Sequence, residues 1–316
     1  MTRRGGEGAL RGGTGAEDGP GPPSRSREAR AWRIRGGELA LDRPRVMGIV
    51  NLTPDSFSDG GHLPDVPSAL AHARALVAAG ADLLDVGGES TRPGARTVPA
   101  DEELTRILPF LEAAAGLGVP LSVDTRKASV ARAALAAGAA VVNDVSGFAY
   151  DAAMASAVAE AGAGAVLMHM RGEPATMDGL ARYRDVGREV AAELAEAVGR
   201  AREAGLPDAA LVVDPGLGFA KTAEQTLELL ADLGPIRELG LPVLVGPSRK
   251  RFIAAASHAP ASERVGGTVA ACVVAYLEGA RIFRVHDVAP VAQALAVAHA
   301  IAARGARPIP REDARR

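Results

Sequence analysis

Acids, amides and cations recur in this chain at one kind of position, just after a short apolar run. In order they are Asn51, Gly87-Gly88-Glu89-Ser90-Thr91-Arg92, Asp124, Asn143-Asp144, His169, Asp214, Ser248-Arg249-Lys250 and Arg284-Val285-His286-Asp287. The last two groups pair cations with hydroxyl and imidazole donors. Guanidinium, ammonium and the free N–H groups at a helix start all stabilise phosphate oxygens. Asp124, Asn143 and Asp214 are acceptors suited to a ring that carries several N–H donors. A lone Asp or Ser in such a place is an ordinary turn or N-cap residue. That account does not extend to the cations gathered at the last two positions. Gly216-Leu217-Gly218-Phe219-Ala220-Lys221-Thr222 ends like a P-loop, but Pro215 and Ala220 stand where a Walker motif needs glycine, so nucleotide hydrolysis is set aside.

The elements that must hold these groups follow from the same pattern. The apolar runs are Val46–Val50, Leu83–Val86, Pro120–Val123, Ala139–Val142, Ala165–Met168, Leu211–Val213, Pro242–Val245 and Ala280–Val285. They read as eight strands buried on both faces. Alanine-rich helical stretches alternate with them: Ser68–Ala79, Asp101–Ala115, Lys127–Ala137, Asp151–Ala161, Tyr183–Ala204, Ala223–Leu233, Glu263–Glu278 and Val288–Ala303. Gly80, Gly138, Gly162, Gly205, Gly240 and Gly279 stand where a helix hands over to the next strand, as left-handed C-caps do. Strand–helix alternation implies right-handed parallel units, and about eight of them imply a closed (β/α)8 TIM barrel; an open doubly wound sheet is the alternative. In such a barrel the polar groups above share one rim, and the loops after strands seven and eight form its usual phosphate site. Trp32-Arg33-Ile34 and Leu39-Ala40-Leu41 flank Gly36-Gly37, which predicts a hairpin able to plug the opposite end.

The whole chain is consistent with this. It has 316 residues, 47% hydrophobic and 23% charged, with a formal net charge of -2. No broad basic field invites nucleic acid or a membrane surface. Cys272 is the single cysteine, within an apolar run, so it reads as a buried apolar residue rather than a reactive thiol. No apolar run approaches the roughly 20 residues of a membrane helix. Residues 1–30 are rich in Gly, Pro, Arg and Ser and read as a disordered tail, as do residues 305–316; residues 31–304 form the barrel domain. The expected compartment is the cytoplasm.

Taken together, several segments closely resemble dihydropteroate synthases. They are Met47–Gly61, Asp85–Ala95, Ser122–Thr125, Asn143-Asp144, Leu167–Met170, Asp214–Lys221, Ser248–Ile253 and Arg284–Val288, in order, within a match from about Trp32 to Ala303. The resemblance implies a transferase of folate biosynthesis that joins (7,8-dihydropterin-6-yl)methyl diphosphate to 4-aminobenzoate. It implies Mg²⁺ as cofactor, with Asn51 as its protein ligand. It implies diphosphate contacts from Asn51, Thr91, Ser248, Arg284 and His286. Pterin contacts would come from Asp124, Asn143, Asp214 and Lys250, with Met168 along the ring. A 4-aminobenzoate pocket would be built from Thr91, Arg92, Pro93, Phe219 and Ser248. Catalysis is then expected of Asn51, Thr91, Arg92, Lys250, Arg284 and His286. Loops Thr53–His62 and Ser90–Arg96 match mobile segments that close over the substrates. Small-molecule partners, a pocket at which sulfonamides compete with 4-aminobenzoate, and a homodimer joined through helices near Glu263–Ala303 are also implied. A non-catalytic paralogue, or the pterin-binding barrel of a corrinoid methyltransferase, are the competing readings. The departures are Pro247 before Ser248, which removes one N–H donor, and Gly266-Gly267-Thr268 in a helix expected to lie away from the mouth.

Overall fold

The computed structural model describes residues 31–53, 65–91 and 94–305. The expected N-terminal tail, all but the first residue of the C-terminal one, loop residues 54–62, and Arg92 and Pro93 lie outside them. The described residues open with strands β1 (Ala31–Ile34) and β2 (Gly37–Ala40), paired antiparallel. Ile34 pairs with Gly37, so the turn is Arg35-Gly36 rather than Gly36-Gly37. Only Gly36 takes a left-handed φ, +82°, which leaves Gly37 free to begin the second strand.

The eight strands of the barrel follow: β3 (Arg45–Asn51), β4 (Leu83–Gly87), β5 (Leu121–Asp124), β6 (Val141–Asp144), β7 (Gly164–Met168), β8 (Leu211–Asp214), β9 (Leu244–Val245) and β10 (Ile282–Val285). Around them lie α1 (Val66–Ala78), α2 (Ala100–Ala114), α3 (Ala128–Ala136), α4 (Met154–Glu160) and α5 (Val186–Glu203). They continue with α6 (Ala223–Ala231), α7 (Gly234–Arg237), α8 (Arg251–Ser257), α9 (Val265–Leu277) and α10 (Val288–Ala302). Each strand from β3 to β7 pairs in parallel with its successor, and β10 lies between β9 and β3. A parallel bridge from Val213 to Val243 joins β8 to the start of the β9 segment. The sheet therefore closes, and the open-sheet alternative falls. Gly80, Gly138, Gly162, Gly205, Gly240 and Gly279 all take positive φ, as their place after helices requires.

Alternation along each strand sorts the side chains. Outward residues such as Leu84, Val86, Val123 and Val142 join the helices in one large core. Inward residues at the base, among them Met47, Leu83, Val166, Val212 and Ile282, form a second core with Trp32, Ile34 and Leu41 of the hairpin. Trp32 is fully buried, and its indole N–H donates to the Ala210 carbonyl at 3.0 Å. The hairpin thus stoppers the N-terminal end of the barrel. Towards the other end the inward positions turn polar, at Asn51, Asp85, Asp124, Asn143 and Asp214, and there the site begins.

Candidate active site at the barrel mouth

Arg284, on the last strand, is the centre of the mouth. Its Nε donates to Asp85 Oδ2 at 2.6 Å and a terminal nitrogen donates to Asp124 Oδ2 at 2.8 Å. Asn143 Nδ2 also donates to Asp85 Oδ2, at 3.0 Å. Asp85 is fully buried in the middle of β4. It was not among the expected site residues, because inside the run Leu83–Val86 it reads as strand interior. The alternation of β4 was the available signal: Asp85 shares the inward parity of Gly87, two residues nearer the rim.

Burial pushes the Asp124 carboxyl up to about 7, while Arg284 opposes the rise. Asp214 is also raised by burial, opposed first by Lys250. Its Oδ1 accepts the Gly216 N–H at 2.7 Å. Lys250 is lowered to about 8 by burial, with Asp214 pulling the other way. The Lys250 ammonium lies 4.2 Å from the centre of the Phe219 ring and donates to the Leu217 carbonyl. Met168 is buried at the end of β7, in register with Asp214. A methyl group at Gly87 would stand 3.8 Å from both Asn51 Oδ1 and Asp124 Oδ2, so Asn51 faces the same mouth. His286 Nδ1 lies 3.0 Å from Ser248 Oγ, which also accepts the His286 backbone N–H at 3.2 Å. Asn51, Asp124, Asn143, Met168, Asp214, Ser248, Lys250, Phe219, Arg284 and His286 therefore sit on strand ends and loops of one rim. Thr91 follows β4, half-buried. Arg92 and Pro93 are outside the described residues.

Three rim groups turn away from the mouth. Asp144 accepts N–H bonds from Ser146 and Phe148 and caps its own turn. Glu89 accepts the Val98 N–H at 2.9 Å and Lys127 Nζ at 2.8 Å, tying together the base of the loop that carries Thr91. His169 is buried behind the rim and lowered to about 4 by burial, despite Glu193 Oε2 at 2.9 Å from its Nε2.

The phosphate-type loop has its own support. Arg249 takes φ +59°, a strained value for a side-chain-bearing residue. Its N–H donates to Thr268 Oγ1 at 3.1 Å, and its guanidinium binds Asp287 at 2.9 and 2.6 Å. Thr268 was expected far from the mouth. Instead α9 packs directly behind the loop and Thr268 holds its turn.

The donor set suits a magnesium ion only in part-liganded form. Asn51 offers one hard oxygen, and among the described residues no group of three His, Cys, Asp or Glu could hold a metal. Mg²⁺ often takes one or two protein oxygens and completes its shell with substrate phosphates and water, which Asn51 beside the cationic loop would allow.

Residues 47–286 match the family described as pterin binding enzyme. The dihydropteroate synthase of Synechocystis sp. is 47% identical over 261 residues, 82% of this chain and 90% of that protein. A Xanthomonas albilineans dihydropteroate synthase solved with 4-aminobenzoic acid is 46% identical with a TM-score of 0.81, covering 89% of this chain and 100% of that one. A Burkholderia cenocepacia dihydropteroate synthase complexed with 7,8-dihydropteroate is 44% identical with a TM-score of 0.80, covering 87% of this chain and 97% of that one.

Proposed function

The chain belongs to the dihydropteroate synthase family of pterin-binding enzymes, and from that premise we propose how its own residues carry out the transfer. The pterin lies flat at the mouth. Asp124, Asn143 and Asp214 accept and donate along its hydrogen-bonding edge, with Met168 against its face. The diphosphate extends towards Ser248, Arg284 and His286, with Thr91 at the same end. Asn51 would hold Mg²⁺ through its amide oxygen, and the bound ion would supply neutralisation of the diphosphate charge. The methylene carbon–oxygen bond breaks, and the electron pair leaves with the diphosphate. Arg284 and the hydroxyl and imidazole beside it are already fixed where that charge grows, so they stabilise the transition state more than the ground state. The positive charge left on the methylene is shared with the pterin ring, next to the acids of the mouth. The amine nitrogen of 4-aminobenzoate, held against Phe219 and Ser248 with Arg92 and Pro93, attacks the methylene and releases a proton. Lys250 spans both pockets: its ammonium lies against Phe219 while it faces Asp214.

The observation that carries this reading is the Asp85–Arg284–Asp124 junction, because it brings the anion-binding cation within 2.8 Å of a pterin-binding acid. Purified protein given the pterin diphosphate, 4-aminobenzoate and Mg²⁺ should form dihydropteroate and diphosphate in equal amounts. Release no faster than the enzyme-free blank would remove the proposal. Sulfonamides, whose anilines mimic the nucleophile, should compete with 4-aminobenzoate; purely non-competitive inhibition would contradict the pocket at Phe219. A cytoplasmic setting is part of this proposal, and among the described residues no helix is long and apolar enough to cross a membrane. A homodimer is supported by an apolar strip on α9 and α10.

A further inference from the structure

Lys221 is the lysine of the segment that mimics a P-loop, and the reaction as derived makes no use of it. Its side chain turns inward and is almost wholly buried. Thr222 behind it caps α6 in a reciprocal capping box with Gln225. The Lys221 ammonium has three acceptors: the Gly216 carbonyl at 3.1 Å, the Phe219 carbonyl at 3.0 Å and His169 Nδ1 at 2.8 Å. Three acceptors match the three N–H groups of an ammonium, leaving none for a substrate. Because Nδ1 accepts, His169 carries its proton on Nε2 and donates it to Glu193 Oε2 at 2.9 Å. Glu193 is anchored in turn by Arg171 at 2.9 Å.

The loop so gripped needs gripping. Gly216 and Gly218 take φ of +67° and +73°, which glycine adopts freely, but Ala220 takes +47°, a left-handed value that costs a residue with a side chain and has to be held by its surroundings. Between two of them hangs Phe219. We infer that Lys221 is a positioning residue for the transfer: by binding the Gly216 and Phe219 carbonyls it fixes the Phe219 ring at the 4-aminobenzoate pocket, with His169 and Glu193 orienting the ammonium from behind. This inference rests on the assignment of Phe219 to that pocket.

The test is steady-state kinetics with both substrates on Lys221→Met, which keeps the length but removes the charge and donors. The Michaelis constant for 4-aminobenzoate should rise about tenfold or more, as when a buried charge-assisted bond is lost. kcat at saturation and the Michaelis constant for the pterin diphosphate should move less than about threefold, because Asp214 is held by its strand. Should Lys221→Met fail to fold, Glu193→Gln serves instead. Glu193 is part-exposed on α5, and an amide no longer enforces the His169 tautomer; the same constant should rise about threefold. A folded variant with the 4-aminobenzoate constant within about twofold of wild type, or with only kcat reduced, overturns the inference. Wild-type protein that forms no dihydropteroate would instead remove the function on which it rests.

Discussion

Arg284 is held by two carboxylates and would meet a third charge, the diphosphate, only by sharing. Asp85 fixes its Nε from below, which leaves the rest of the guanidinium directed along the rim. Asp85→Asn keeps the shape of this contact but removes its charge, which weakens the bonds from both Arg284 and Asn143. We expect kcat/KM for the pterin diphosphate to fall about tenfold or more, as suits loss of a charged hydrogen bond. Wild-type kcat/KM in a folded variant would show that Asp85 serves only the barrel core. His169 gives a second residue-scale expectation, on stability. Its buried imidazole is lowered to about 4 from an ordinary 6.5, first by burial. The unfolded chain therefore binds a proton that the folded one refuses between those values. Stability from this group is complete above pH 6.5 and is lost as pH falls towards 4. Urea midpoints measured across that window should decline more steeply for wild type than for His169→Gln; equal slopes would contradict a neutral buried imidazole.

At the scale of elements, the loop from Asp214 to Lys221 is the tightest. A methyl group on Gly216 would come within 2.0 Å of the His169 carbonyl oxygen, and the residue already has φ +67°. Gly216→Ala should therefore destabilise the fold by about 2–4 kcal/mol, read as a lowered thermal midpoint. A midpoint equal to wild type would mean that the loop can move aside at no cost. This loop also shows where sequence reading succeeds and stops. The eight strands were legible because each apolar run is buried on both faces and bounded by glycine or polar residues. Their ends were not: β9 shrinks to Leu244-Val245, and α4 begins three residues late, at Met154. Four-residue α7 was missed, since one turn carries no period. The rim was legible because eight repeated units put every strand end on one side. What lies one layer below it was not. Asp85, Lys221 and Thr268 work through contacts between elements far apart in sequence, and no local pattern marks them.

At the scale of the molecule, the two ends of the barrel have opposite character: a stopper of Trp32, Ile34 and Leu41 at the base, a charged mouth at the top. Neither accounts for the outer faces of α9 and α10, where Leu277 is 62% exposed, Val297 56% and Ile301 54%. Two packed helices sharing such a strip suit a second copy of the chain. Sedimentation should show dimers, and Leu277→Glu should weaken them about tenfold or more; a monomeric wild type would end this reading. The long reach of Arg284 has a temporal side. It bridges 199 residues back to Asp85 and 160 back to Asp124. A chain emerging from the ribosome carries both acids well before the guanidinium that balances them. Until the last strand docks, Asp85 and Asp124 lack the cation that pairs with them in the finished barrel, and the anion site lacks Arg284 and His286. Closure of the tube and competence to bind substrate thus arrive together. Ligand should accordingly protect the amide hydrogens of β3 and β10 as one block against exchange with deuterated solvent.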